Sequence, residues 1–65
     1  MDDRRLFIRL AEAGSYAAAA RSLGLARTTV MRRVTALEVE VGLSLVQVAG
    51  NSLVLTQAGH RLASE

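Results

Sequence analysis

The run from Ser15 to Val34 reads Ser-Tyr-Ala-Ala-Ala-Ala-Arg-Ser-Leu-Gly-Leu-Ala-Arg-Thr-Thr-Val-Met-Arg-Arg-Val, and it constrains the chain more than any other stretch. A small-residue helix, a glycine corner and a second helix with three arginines and no acid follow one another. That order is the sequence form of a helix-turn-helix, a unit whose usual ligand is duplex DNA. Ala20 keeps the bulk down where two helices must cross closely, Gly24 supplies a corner open to positive φ, and Val30 buries beneath the second helix. A glycine after an alanine-rich helix is common by itself; the basic helix behind it makes the combination specific.

At 65 residues the chain makes one small domain, of a size at which a single core is only marginally stable. It has no cysteine, so neither disulfides nor thiolate zinc ligands can reinforce that core. The lone histidine, His60, cannot build a metal site. No cofactor is expected, and helix packing or a partner must stabilise the fold.

The net charge is only +2, but its distribution is uneven. Asp2, Asp3 and Glu12 balance Arg4, Arg5 and Arg9, whereas residues 21–33 carry Arg21, Arg27, Arg32 and Arg33 with no acid. Positive charge therefore gathers on the helix-turn-helix, as a footprint for phosphate would. Every cation is arginine, which suits bidentate contact to phosphate or guanine. No stretch approaches the roughly 18 apolar residues of a membrane span, and the N-terminus lacks a signal-peptide pattern. The expectation is a cytoplasmic location and no membrane contact.

Periodicity divides the chain into four helices and one hairpin, a mainly α fold. Asp2 or Asp3 caps a first helix ending near Ala13, with Leu6, Phe7, Leu10 and Ala11 inward. Ser15 caps a second, whose last turn buries Leu23. A third, from about Ala26 to Val41, buries Val30, Val34, Leu37 and Val41 along one narrow stripe. Segments 45–49 and 52–55 flank Gly50-Asn51, a pair suited to a tight hairpin turn. Thr56 caps a last helix that starts at Gln57.

At 100° per residue, Thr28, Arg32 and Thr35 fall opposite the buried stripe of the third helix. Met31 lies on one flank, Thr29 and Arg33 on the other, and Arg27 sits in the first turn, where a recognition helix enters a groove. Arg32 is the candidate for reading guanine, with Arg27 and Arg33 on phosphate. Thr28, Thr29 and Thr35 suit phosphate or a thymine methyl, and Ser15 offers its helix N-terminus to the backbone. Threonine is a poor helix former and this face lacks glutamate, so plain solvation explains it less well than contact.

Leu10-Ala11-Glu12-Ala13-Gly14-Ser15-Tyr16, Ala19-Ala20-Arg21-Ser22-Leu23, Leu37-Glu38 with Val41-Gly42, Leu45, and Leu55-Thr56-Gln57-Ala58-Gly59 together carry a resemblance. Over residues 4–62 the chain resembles the N-terminal winged helix-turn-helix of LysR-type transcriptional regulators. The resemblance implies a bacterial regulator with a three-helix core, helix-turn-helix over 15–41, wing over 45–55 and the start of a linker helix over 56–65. The third helix would enter the major groove and the wing, through Asn51 and Ser52, would approach the neighbouring backbone. It also implies a homodimer or higher homo-oligomer of the full-length parent, paired through the linker helix. A small-molecule effector would act only through a C-terminal domain outside this sequence, so an excised DNA-binding domain is expected.

Departures from the family pattern concern charge. Leu45-Val46-Gln47-Val48 stands where the family often has Leu-Phe-x-Arg, and Asn51 and Val54 where wings are usually basic. Met31 replaces a common serine, and Arg27-Thr28 the common Gln-Pro. Removing wing cations weakens phosphate contact while leaving helix readout intact, so weak binding by this domain is expected.

A rival reading is a winged helix that docks protein or dimerises, with weak or no DNA binding. At 51% the apolar content is high, Val39 faces outward beside Arg32, and Val46, Val48 and Val54 are candidates for an exposed patch with the end of the third helix. Catalysis is not expected. His60 has no acid pair or nucleophile at a suggestive spacing, and so short a chain rarely encloses a catalytic pocket.

Overall fold

A computed structural model describes residues 2–64. The elements run α1 (Asp3–Ala13), α2 (Tyr16–Leu23), α3 (Arg27–Val41), β1 (Val46–Ala49), β2 (Ser52–Leu55) and α4 (Gln57–Ser64). Asp2 caps α1 through a hydrogen bond from the Arg4 amide, and Ser15 caps α2 by accepting from the Ala18 amide at 3.1 Å. Each satisfies an amide that a helix start leaves without a partner. Gly24 makes the corner at φ 69°, which lets the Leu25 amide reach back to the Ala20 carbonyl at 3.0 Å.

Three helices and the hairpin close on one core. Leu6, Phe7 and Leu10 of α1, Ala19 and Ala20 of α2, and Val30, Val34 and Leu37 of α3 are buried with Leu45 and Leu53. Burying each large side chain contributes about 1.5–3 kcal/mol, and the two alanines let α2 approach α3 closely. Tyr16, Leu23, Leu25, Val46, Leu55, Ala58 and Leu62 pack around this centre, half-buried.

β1 and β2 pair antiparallel, from Val46 opposite Leu55 to Ala49 opposite Ser52, which leaves Gly50-Asn51 as the turn. Within this turn positive φ falls on Gly50, at 63°, and not on Asn51. One bond ties the hairpin to the α1–α2 corner, from the Leu53 amide to the Gly14 carbonyl at 3.0 Å, and another closes its base, from the Thr56 amide to the Leu45 carbonyl at 3.0 Å. Thr56 also caps α4 by accepting from the Gly59 amide, while its hydroxyl donates to the Ser44 carbonyl at 2.6 Å.

The observed architecture is thus the expected winged helix-turn-helix, with four corrections of detail. Val41 is exposed, because the stripe of α3 runs past the edge of the core in its last turn. Ala11 and Leu23 are half-buried, lying on the margin of the α1–α2 contact. The first strand opens at Val46, one residue later than the expected segment 45–49, and Leu45 before it fills the core. Val46 is half-buried and packed against the core, so it is no part of an exposed patch. Glu65, at the end of the expected linker segment, lies outside the described residues.

Candidate nucleic-acid interface

The outward ridge of α3 follows from its phase. With Val30, Val34 and Leu37 fixed in the core, Thr28, Arg32 and Thr35 must face solvent, and all three are exposed. No ion pair holds Arg32 among the described residues. The Thr35 hydroxyl donates to the Met31 carbonyl at 2.9 Å, which leaves its lone pairs and methyl group outward. Ala26, at the cap position before the helix, has no side chain able to cap it, and the Arg27 and Thr28 amides have no acceptor among the described residues. A helix start of that kind presents donors and a partial positive charge to an anion.

Beside this ridge lies a groove of about 280 Å³ lined by Tyr16 and Ala17 of α2, Arg27 and Met31 of α3, and the hairpin residues Val48 to Leu53 except Ala49. It brings together four residues singled out in the sequence: Arg27, Met31, Asn51 and Ser52. The Ser52 hydroxyl donates to the Ala49 carbonyl at 3.2 Å, bracing the turn. The other six are distributed around it. Thr28, Arg32 and Thr35 form the ridge, Thr29 is half-buried on the far flank, and Ser15 is engaged in capping α2. Arg33 turns toward α1, where its guanidinium lies 3.7 Å from the Asp3 carboxylate. A pair this exposed is weak and exchangeable.

Tyr16 and Val48, which wall the groove, are absent from the sequence-derived set. Alternation along β1 offered a signal for Val48, since it shares a face with Val46 and stands opposite Leu53. Burial raises the Tyr16 phenol above its ordinary pKa of 10.0, and the nearby Glu38 carboxylate adds to the effect. Val48 and Val39 are 64% and 78% exposed. Val48 borders Arg27 and Met31 near the start of α3, Val39 lies near its end, and Val54 is exposed on β2. A second groove, of about 390 Å³, lies at the far end, between Val41, Leu43 and Leu45 and the α4 residues Gln57, Ala58, Arg61 and Leu62. No helix is long and apolar enough to cross a membrane, and no cluster of potential metal ligands occurs, among the described residues.

Comparison with known proteins gives a consistent picture. The sequence profile of the bacterial regulatory helix-turn-helix proteins of the lysR family matches residues 1–60. An HTH-type transcriptional regulator of Xanthomonas campestris is 42% identical over 59 residues, covering 91% of this chain and 17% of that protein. The regulator TcbR of Pseudomonas sp. strain P51 is 40% identical over 62 residues, covering 92% of this chain and 21% of its own length. The chain thus spans about a fifth of the length of these relatives, which bear the names of regulators and not of enzymes. Full-length AphB, a virulence activator of Vibrio cholerae, superposes with a TM-score of 0.93 at 34% identity, over 98% of this chain and 22% of that one. The DNA-binding domain of CbnR, solved in complex with DNA, superposes with a TM-score of 0.89 at 38% identity, over 98% of this chain and 76% of that one.

Proposed function

The chain belongs to the lysR family of bacterial regulatory helix-turn-helix proteins, and on that premise we propose that it binds double-stranded DNA sequence-specifically as the reading head of a transcriptional regulator. The observation that carries this reading is the exposed α3 ridge, where Arg32 stands clear of both core and hairpin with no acidic partner among the described residues. The likeness to the CbnR domain solved on DNA supports it.

In this reading α3 lies in the major groove. Arg32 reads a base edge and Met31 lies flat against it, while Arg27, Arg33 and the open amides at the start of α3 hold phosphate. Thr28, Thr29 and Thr35 make short contacts to phosphate or a thymine methyl. Ser15 aims the start of α2 at the backbone, and Asn51 and Ser52 touch the neighbouring strand. Residues 15–41 are the helix-turn-helix, 45–55 the wing and 56–65 the beginning of a linker helix. The whole regulator would be a cytoplasmic homodimer or higher homo-oligomer, with effector sensing assigned to a separate domain and no catalytic role.

Selection from a randomised duplex pool, followed by chemical-shift mapping on the winning sequence, tests this. The expected result is an enriched motif, with the largest shifts at Arg27, Thr28, Met31 and Arg32. A flat titration, or shifts confined to Val41, Leu43 and Leu62 that grow with protein concentration, would replace it with the association reading, which the apolar groove between α3 and α4 favours.

A further inference from the structure

Glu38 has no place among the DNA-facing side chains, yet its carboxylate is engaged by the protein's own backbone. One oxygen, Oε2, accepts from the Leu45 amide at 2.8 Å and lies 3.4 Å from the Val46 amide. Those amides stand where the chain, having left α3 at Gly42, turns back and begins β1. Leu45 is buried and its amide is part-buried, so water replaces a lost acceptor there only incompletely. On the other side of the same residue, the Leu45 carbonyl accepts from the Thr56 amide at 3.0 Å. The start of the hairpin is therefore gripped between the helix that carries the ridge and the residue that caps α4.

We propose that Glu38 is a positioning residue for the wing: by accepting the Leu45 and Val46 amides it fixes the hairpin's root against α3, and so sets the groove between Met31 and Val48 to the width the duplex meets. The functional part of this rests on the DNA-binding reading. The middle of the hairpin is secured separately, by the Leu53 amide on the Gly14 carbonyl. Loss of Glu38 therefore lets the hairpin rock about the Leu53 anchor, so that the turn lining the groove moves with the root, without unfolding the core. An acid so close to a DNA-reading surface repels phosphate, so charge alone gives it no advantage there. Its geometry does. A charge-assisted bond to a half-buried amide is stronger than a neutral one, and leaving that amide unmatched is costly.

Reach and charge can be separated by three substitutions. Glu38→Gln keeps an acceptor at the same distance and discards the charge. Glu38→Asp keeps the charge and shortens the side chain by one methylene, roughly 1.5 Å. Glu38→Ala removes both. Amide hydrogen exchange is read at Leu45 and Val46, with Leu10 and Val34 as controls for an intact core, and affinity is read on a short mixed-sequence duplex across salt. Exchange at Leu45 should quicken about tenfold in Glu38→Ala and Glu38→Asp and stay within about twofold of the parent in Glu38→Gln. Duplex affinity should follow the same order, with an unchanged salt slope because no cation is lost.

Parent-like behaviour of Glu38→Asp, together with tighter duplex binding by both Glu38→Gln and Glu38→Ala, would overturn the proposal and make Glu38 a simple surface charge. Unchanged Leu45 exchange in all three variants would overturn it equally. If the parent chain itself ignores the duplex, the DNA reading and the functional arm fail together. Exchange at Leu45 then still decides whether Glu38 holds the hairpin.

Discussion

The carbonyl of Leu45 lies in the space that a side chain on Gly59 would occupy. A Cβ at position 59 would collide with that oxygen and come within 3.1 Å of the Leu45 carbonyl carbon and 3.2 Å of the Leu55 Cβ. Gly59 is buried inside α4, where glycine is otherwise a poor choice. Its presence is explained by the approach of the hairpin root, which also receives the Thr56 amide.

Gly59→Ala separates two opposing effects. Helix propensity favours alanine by about 1 kcal/mol, whereas a collision with backbone cannot be relieved by a side-chain rotation. Overpacking should win by about 1–3 kcal/mol, lowering the melting temperature by roughly 4–8 °C per kcal/mol in a domain of this size. Thermal unfolding followed by circular dichroism checks it. A higher melting temperature would show that the hairpin yields freely.

Alkaline pH should weaken the fold through Tyr16. Its phenol is raised above 10.0 by burial and by Glu38, so the folded state keeps a proton that the unfolded chain releases. That contribution is complete below the unfolded value and is lost as pH rises through the folded one. The chain has no lysine and no cysteine, and Tyr16 is its one tyrosine. Melting temperatures should fall from about pH 10 upward in the parent and stay nearly level in Tyr16→Phe. Equal slopes for both would assign the loss elsewhere.

Arg32 and Arg33 should fail differently. Arg32→Ala should cost about 1–3 kcal/mol on a selected duplex and much less on a scrambled one. Arg33→Ala should weaken both alike and reduce the salt slope by about 0.9. Because Arg33 already lies near Asp3, binding phosphate exchanges one anion for another. Asp3→Asn should accordingly tighten binding to every sequence. Competition assays on matched and scrambled duplexes distinguish these outcomes, and identical losses in the two arginine variants would refute the division of roles.

The hairpin carries no cation from Val46 to Leu55. Val48→Arg places one at the groove's edge, at a position 64% exposed in the parent, so stability should hardly change. Duplex affinity should rise and the salt slope steepen by about 0.9, the release expected for one new phosphate contact. A slope equal to the parent's would mean that the hairpin stands away from the backbone.

Most of the fold was legible in local sequence because its determinants are local. Caps at Asp2, Ser15 and Thr56, the Gly24 corner and the Gly50-Asn51 turn act within a few residues of themselves. The phase of α3 likewise placed Thr28, Arg32 and Thr35 outward from Val30 and Val34 alone. What periodicity could not show were contacts between distant segments. Helical periodicity gives Glu38 no task, because its partners lie seven and eight residues on, beyond the end of α3. Tyr16 became a wall of the groove only once the hairpin folded back over α2. Val41 continued an apolar stripe on paper, but the core ends one turn before it.

The junction at Thr56 has a mechanical consequence. Its amide holds Leu45, its hydroxyl holds Ser44, its oxygen receives the Gly59 amide, and Gly59 leaves no gap beside the Leu45 carbonyl. Such an elbow lacks the slack of a hinge, so torque applied to α4 should turn the β-ribbon with it as one lever.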